Sequence, residues 1–320
     1  MTERVEVQSI RDMFAAARSA RRPVVSVEFF PPKDEHGERT LLEKTLPALR
    51  QLQPDYCSVT CGAGGTTSAY RRTLQTVERI QREHRLTAMA HLTCVNRTRG
   101  EMAGILSEAR QLGIRNVLAL RGDPLKGDTP PAMPGEGFDY SCELVRFIHD
   151  TGSFSIGVAG FPEGHIACTE GRKADWDRLR QKIDSGADFV ITQLFFHNQD
   201  YFELREFLAH HGVTTPVVPG ILPVLTGSQV NGFVTACGAR KPPELESALR
   251  EYGDDDNAVT EWGIDYATRQ CDELLREGAP GLHFYTLNRA RSTMEVVRRL
   301  SVWPSEVETN CRDDSCRRAR

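Results

Sequence analysis

The chain has no pair of cysteines in a CxxC spacing, although it carries nine cysteines in 320 residues. An odd, scattered set indicates neither a disulfide framework nor a zinc ribbon. It suits a reducing compartment, and a cytoplasmic protein is expected. Cys57, Cys61 and Cys94 fall in apolar runs, where a thiol reads as a small buried hydrophobe. Cys311 and Cys316 read as exposed thiols in a polar tail. Long hydrophobic runs are also missing: nothing approaches the roughly 20 apolar residues of a membrane-spanning helix, so no membrane partner is expected. Excess positive charge is missing too. A formal net charge of -4 argues against nucleic acid as a partner. Arg4, Arg11 and Arg18 superficially suggest a transit peptide, but Glu3, Glu6 and Asp12 argue against one and no signal-peptide core follows.

What is present is an alternation. From Pro23 onward, short β-branched or apolar runs alternate with longer segments of helical period, the pattern of parallel βα units. Strands are predicted at 23–30, 56–61, 87–93, 116–122, 155–162, 189–196, 216–224 and 281–288. Leu41, Leu42, Leu46 and Leu49 repeat at helical spacing, as do Ile105, Leu106, Ala109 and Leu112. Gly113, Gly212 and Gly278 stand where helices must turn into the next strand. The count of eight predicts an α/β fold, a (β/α)8 TIM barrel. Residues 1–22 are expected to add an N-terminal helix, and 226–278 two or three helices inserted before the last strand. The catalytic barrel is expected to span 23–300 as one domain, with 301–320 a polar, disordered tail.

In such a barrel the chemistry lies at the C-terminal ends of the strands. Glu28 closes the first, flanked by Val27, Phe29 and Phe30. Those apolar neighbours should desolvate the carboxyl, raise its pKa and suit it to donate a proton. A structural ion pair with an arginine of a neighbouring strand is an equally good account. Asp123, after Arg121-Gly122, could be catalytic or a turn cap. His91 reads most simply as a hydrogen-bonded core residue, lacking the companions a metal would need, and His210-His211 as a solvated helix end. No metal is expected. Gly62-Ala63-Gly64-Gly65 lacks both the Walker ending and the GxGxxG spacing, so it is a weak phosphate signal. Arg121, His165 and Lys182 could instead grip a dinucleotide through several loops. Leu194-Phe195-Phe196-His197 reads as packing before stacking.

Taken in order, the strand-end runs carry a resemblance. Val27-Glu28-Phe29-Phe30-Pro31-Pro32, Ser58-Val59-Thr60, His91-Leu92-Thr93-Cys94, Ala119-Leu120-Arg121-Gly122-Asp123, Ile191-Thr192-Gln193, Pro219-Gly220-Ile221-Leu222-Pro223 and His283-Phe284-Tyr285-Thr286-Leu287-Asn288-Arg289 are spread evenly over residues 23–300. The chain closely resembles the methylenetetrahydrofolate reductases, flavoproteins that make 5-methyltetrahydrofolate.

The resemblance implies FAD at the barrel mouth, reduced by NADH or NADPH and reoxidised by methylenetetrahydrofolate in a ping-pong cycle that feeds methionine synthesis. It makes Glu28 the general acid that opens the five-membered ring at folate N10, giving a 5-iminium cation. Asp123 would hold the pterin and place negative charge near the flavin. Gln193 would hydrogen-bond the pterin and Arg289 would help place the folate. For FAD it implies Thr60, His91, Arg121, Gly122 and Asp123, with Tyr140, His165, Asp175 and Lys182 on later loops and helices. The partners implied are small molecules, and assembly as a homo-oligomer is expected.

Two departures stand out. Members of the family often carry an aromatic residue three positions after Val224, where this chain has Leu225-Thr226-Gly227. That leaves the electron donor open between NADH, NADPH and another reductant. The chain also stops before the regulatory domain that eukaryotic members use to bind S-adenosylmethionine, so no such feedback is expected. The alternatives are another flavin barrel, such as a proline-dehydrogenase-like oxidase, or a non-catalytic folate- or flavin-binding subunit.

Overall fold

Strict alternation within the strands decides which side chains face the barrel axis. In the computed structural model, which describes residues 7–62, 66–123 and 136–301, the parallel strands are β1 (Val24–Phe29), β2 (Tyr56–Val59), β3 (Ala88–Thr93), β4 (Asn116–Leu120), β5 (Ser155–Gly160), β6 (Phe189–Thr192), β7 (Val217–Val218), β8 (Gly220–Ile221) and β9 (Gly281–Tyr285). Their order in the sheet is β7-β6-β5-β4-β3-β2-β1-β9-β8. Because β7 and β8 are consecutive and parted only by Pro219, they are two halves of one stave, and the ring closes through them. Proline has no N–H to give a ladder, and it marks where the stave lets go of β6 and takes hold of β9. Eight predicted strand positions thus become a closed barrel of eight staves, each shorter than the sequence suggested.

Val25, Val27 and Phe29 point outward into the cluster shared with the surrounding helices. Val24, Tyr56, Met89, Leu118, Phe189, Ile191 and Val218 point inward. The interior is a packed core, and Gly157 makes room in it: a Cβ there would lie 2.6 Å from the Phe189 ring. Helix α1 (Ile10–Ala20) closes the barrel bottom with Ile10, Met13, Phe14 and Ala17, all packed into the interior cluster. Asn116, buried at the start of β4, fixes it by accepting from Ile10 N at 2.8 Å and donating to Gln8 O at 3.0 Å.

The outer layer begins with α2 (Glu35–Thr40), a π-helical turn (Leu41–Thr45) and α3 (Leu46–Arg50), which run on as one helix. It continues with α4 (Thr67–His84), α5 (Arg99–Gln111), α6 (Ser141–Asp150), α7 (Arg172–Asp184) and α8 (Asn198–His210). α5 starts on a reciprocal capping box between Thr98 and Glu101. Gly113 follows α5, and Gly278 the helix that ends at Arg276, with φ of 75° and 78°, left-handed values that glycine adopts without strain. Between β8 and β9 come three inserted helices, α9 (Gly227–Cys237), α10 (Pro243–Tyr252) and α11 (Asp256–Arg276), and α12 (Arg291–Arg299) ends the barrel. The insertion packs on Leu194, Phe196, Leu222 and Val224 at the tops of the sixth and seventh staves. Phe195 and Phe196 are buried beyond the end of β6, so they are packing residues as expected, but in a loop rather than a strand. Of the polar tail, residues 302–320 lie outside the described residues, as do 1–6 at the other end.

Candidate functional site at the barrel mouth

Glu28 is the inward-facing residue at the top of β1. Register places Ser58 of β2 beside it on one side and Tyr285 of β9 on the other. Three side chains converge on its Oε2: Ser58 Oγ, His91 Nε2 and His283 Nε2, each at 3.3 Å. Among the described residues no arginine takes part; the partners are a hydroxyl and two buried imidazoles. The expectation of a raised pKa is corrected here. Burial does push the Glu28 carboxyl up, but His91, His283 and the Ser58 hydroxyl together outweigh it and hold the group below its ordinary value. His91 itself is pushed down to about 4 by burial, against the pull of Glu28. Near neutrality it is therefore an uncharged ring. Its Nε2 is buried and makes no hydrogen bond among the described residues, although Glu28 is close.

Above this cluster lies a cavity of about 260 Å³, lined by Glu28, Thr60, His91, Gln193, Tyr285 and by aromatic and aliphatic side chains. Gln193 turns its Oε1 back onto Leu194 N at 2.8 Å, which leaves its amide N–H groups available. Tyr285 is anchored through its hydroxyl to Thr192 O at 2.6 Å. Asn288 clamps the end of β1 by accepting from Phe30 N at 2.9 Å and donating to Phe30 O at 3.0 Å, and so fixes the half-exposed Phe30 ring at the rim. A larger cavity, about 790 Å³, lies at the opposite end around Arg11, Arg115, His149 and Asp188. Parallel barrels place their chemistry at the C-terminal ends of the strands, which is the end that holds Glu28.

A second polar group stands on the rim, after β4 and β5. Lys182 of α7 donates to Ala159 O at 2.6 Å and lies 5.8 Å over the Phe161 ring. Burial lowers its pKa to about 8, with Asp175 pulling the other way. Asp175, buried on the same helix, is raised by burial and held down in part by Lys182 and His165. The His165 ring packs edge-on to Phe161, and its field includes Asp175, Arg121 and Lys182. Tyr140 is exposed at the N-terminus of α6. Gly122 has φ +80°, and a Cβ there would come within 2.8 Å of the Thr93 Cβ, so glycine at this position has a packing reason of its own.

The structure thus brings Glu28, Thr60, His91 and Gln193 to one cavity. It sets Arg121, His165, Asp175 and Lys182 together beside it. Asp123 is 91% exposed in its side chain, 3.8 Å from Arg121 and outside the cavity lining, and Arg289 is exposed at the rim. Ser58 and His283 belong to the site and had no role from sequence, although both lie in runs that carried the resemblance. Gly227 is the first residue of α9, and a side chain there would point towards Leu249 of α10. Aromatic surface at the mouth comes instead from Phe30 and Phe233. Residues 63–65 of the glycine-rich loop lie outside the described residues.

Residues 13–301 match the family model described as methylenetetrahydrofolate reductase. The chain belongs to the methylenetetrahydrofolate reductase family. Among similar members, "Methylenetetrahydrofolate reductase (NADH) 1" of Arabidopsis thaliana is 37% identical over 290 residues, 87% of this chain and 48% of that protein. The "5,10-methylenetetrahydrofolate reductase" of Escherichia coli (strain K12) is 34% identical over 280 residues, 88% of this chain and 91% of that protein. The chain therefore spans about half the length of the plant reductases and most of the bacterial one. Among solved structures, an uncharacterized protein from Clostridium thermocellum, described as binding two copies of 5-methyl-5,6,7,8-tetrahydrofolic acid, shares the fold with a TM-score of 0.57 at 14% identity, covering 90% of this chain and 97% of that one. Among the described residues no helix is long and apolar enough to cross a membrane.

Proposed function

We propose that this member of the methylenetetrahydrofolate reductase family reduces 5,10-methylenetetrahydrofolate to 5-methyltetrahydrofolate, with FAD at the barrel mouth and NADH or NADPH as electron donor. The observation that carries the reading is Glu28: a carboxyl set on the inner face of a strand, at the floor of a cavity, in a chain that matches the family from 13 to 301.

The residues present suit FAD. His91 offers at the cavity floor a buried nitrogen that has no hydrogen-bond partner among the described residues. Arg121 and Lys182 provide cations for a pyrophosphate and Asp175 an acceptor for sugar hydroxyls. Tyr140 and Ile166 provide exposed apolar surface for an adenine. FAD would supply two-electron transfer from the nicotinamide to the folate. The plant relatives carry NADH in their names, which supports NADH as the donor.

Glu28 would deliver the proton that folate N10 needs when the five-membered ring opens. With the mouth open, the two imidazoles and Ser58 favour its ionised form. Its side chain is still 13% exposed, and a ring system covering the mouth would remove that remaining water and favour the neutral acid. Gln193 would orient the pterin with its free amide N–H groups, and Asp123 and Arg289 would meet the folate at the rim. The setting is the cytoplasm, in a homo-oligomer, feeding methionine synthesis; seven free thiols among the described residues suit that compartment.

Anaerobic stopped-flow of the two half-reactions tests the reading. Glu28→Gln should still let NADH reduce the bound flavin but should barely reduce methylenetetrahydrofolate. Equal loss in both half-reactions removes Glu28 from the acid role. A purified protein that is colourless and takes up no added FAD overturns the flavoenzyme reading altogether.

A further inference from the structure

Below Glu28 the barrel wall holds Ser26, a buried polar residue that has no part in the proposed reaction. Ser26 lies two residues before Glu28 on β1, hence on the same inner face, and register sets it opposite His283 of β9. Both are fully buried. Ser26 Oγ is 2.8 Å from His283 Nδ1 and 3.4 Å from Leu282 O, and the other ring nitrogen, Nε2, is 3.3 Å from Glu28 Oε2. The three side chains form an unbroken line from the barrel interior to the carboxyl.

A neutral imidazole carries one N–H, and which nitrogen bears it is set by the partner of the other. The Ser26 hydroxyl has one proton and two acceptors for it, Nδ1 at 2.8 Å and Leu282 O at 3.4 Å, with the Tyr56 hydroxyl also facing it; Nδ1 is the nearer acceptor. A hydroxyl donating there leaves the ring proton on Nε2, aimed at Glu28. We propose that Ser26 is a positioning residue: its hydroxyl locks His283 in the tautomer whose Nε2–H donates to Glu28, and through that ring it orients the carboxyl used in the reaction. The inference rests on Glu28 being the proton-handling group. Ser58 from β2, His91 from β3 and His283 from β9 face that carboxyl directly, and Tyr285 and Tyr56 feel its charge at longer range. Of these, only His283 has its proton placed by a buried hydroxyl on the far side.

Without the Ser26 hydroxyl the ring is free to turn a bare Nε2 to Glu28, and a carboxylate that loses a donor holds its proton more tightly. The test uses the FAD-loaded protein without folate or nicotinamide. ¹⁵N-histidine spectra, with His283 assigned by its loss in His283→Gln, report the tautomer. ¹³C-glutamate spectra, with Glu28 assigned by its loss in Glu28→Gln, report the protonation midpoint. The wild type should show Nδ1 as acceptor and Nε2 protonated. Ser26→Ala should move the proton towards Nδ1 and raise the Glu28 midpoint by about one pH unit.

In a His283→Gln background, where an amide N–H replaces the ring and no tautomer exists, Ser26→Ala should add no further shift. An Nδ1-protonated ring in the wild type overturns the proposal whether or not the variants fold. So does an unmoved midpoint in Ser26→Ala, or the same shift with and without His283. These readouts need no turnover: normal folate reduction by Glu28→Gln would defeat the functional reading alone, while an unmoved midpoint would defeat this one alone.

Discussion

The two polar clusters at the mouth are built by opposite means. Glu28, Ser58, His91 and His283 stand on β1, β2, β3 and β9, so the ladder that closes the barrel also fixes their spacing. Arg121 and His165 stand on the loops after β4 and β5, and Asp175 and Lys182 on α7, so no strand pairing fixes their spacing. The strand cluster surrounds one carboxyl with a hydroxyl and two buried imidazoles, which suits moving a proton. The rim cluster keeps cations, which suits holding an anion. Strand pairing gives fixed geometry and segments outside the ladder give adaptability, and on the proposed function the reaction falls to the first and the binding to the second.

The largest expected effect separates them cleanly. Glu28→Gln should slow the folate half-reaction by about 10²–10⁴-fold and leave flavin content unchanged, the range for removal of a positioned acid. Excess FAD should not rescue it.

Stability against pH probes the strand cluster next. His91 has its pKa depressed from 6.5 to about 4, so the unfolded chain binds a proton in that window that the folded chain does not. Stability from this group is intact above pH 6.5 and is lost as pH falls towards 4, by roughly 2–3 kcal/mol. Urea midpoints should fall across the window in the wild type and fall less in His91→Asn; parallel curves would reject the assignment.

Lys182→Met probes the rim. Flavin affinity should drop about 10–100-fold, as expected for a lost charge-assisted contact, with both half-reactions restored by added FAD. Burial penalises the Lys182 charge below its pKa of about 8, so the FAD-free variant should at the same time melt no lower, and by a small margin higher, at pH 7. A lower Tm would show that the bond to Ala159 O matters more than the buried charge. Asp123→Asn should have the smallest effect, a slowing of the folate half-reaction by less than about tenfold, because its carboxylate is open to solvent screening. An effect as large as that of Glu28→Gln would mean that Asp123 moves into the cavity when substrate binds.

All eight staves could be found in the sequence because each is a short β-branched or apolar run between helical stretches. Their ends could not. Leu194 to Phe196 are apolar past the end of β6 because Leu194 and Phe196 are buried by the inserted helices and Phe195 against Tyr201 of α8, not by pairing. The change of partner at Pro219 is a matter of register, which no local pattern encodes. The same limit explains the site. Glu28 was visible as a charge in an apolar run. Ser58 and His283 were visible only as single polar residues, and what makes them matter is that register brings both to Glu28. Ser26 had one usable signal, its place two residues before Glu28 on the same face of β1. The direction of the Glu28 shift was misread because its apolar neighbours in sequence, Val27 and Phe29, point away from it, and its spatial neighbours are polar.

Helix α1 has a consequence for the traffic of protons. Phe14 rests against Phe189 beneath the strands, with Ile10, Met13 and Ala17 beside it. Ser26 and His283 therefore sit above an apolar stopper, and among the described residues of that cluster the one polar group beside Ser26 is the buried Tyr56 hydroxyl. Because that hydroxyl is itself fully buried, on the proposed role of Glu28 a proton it gives up is replaced through the mouth, so refilling the acid is tied to departure of whatever covers it.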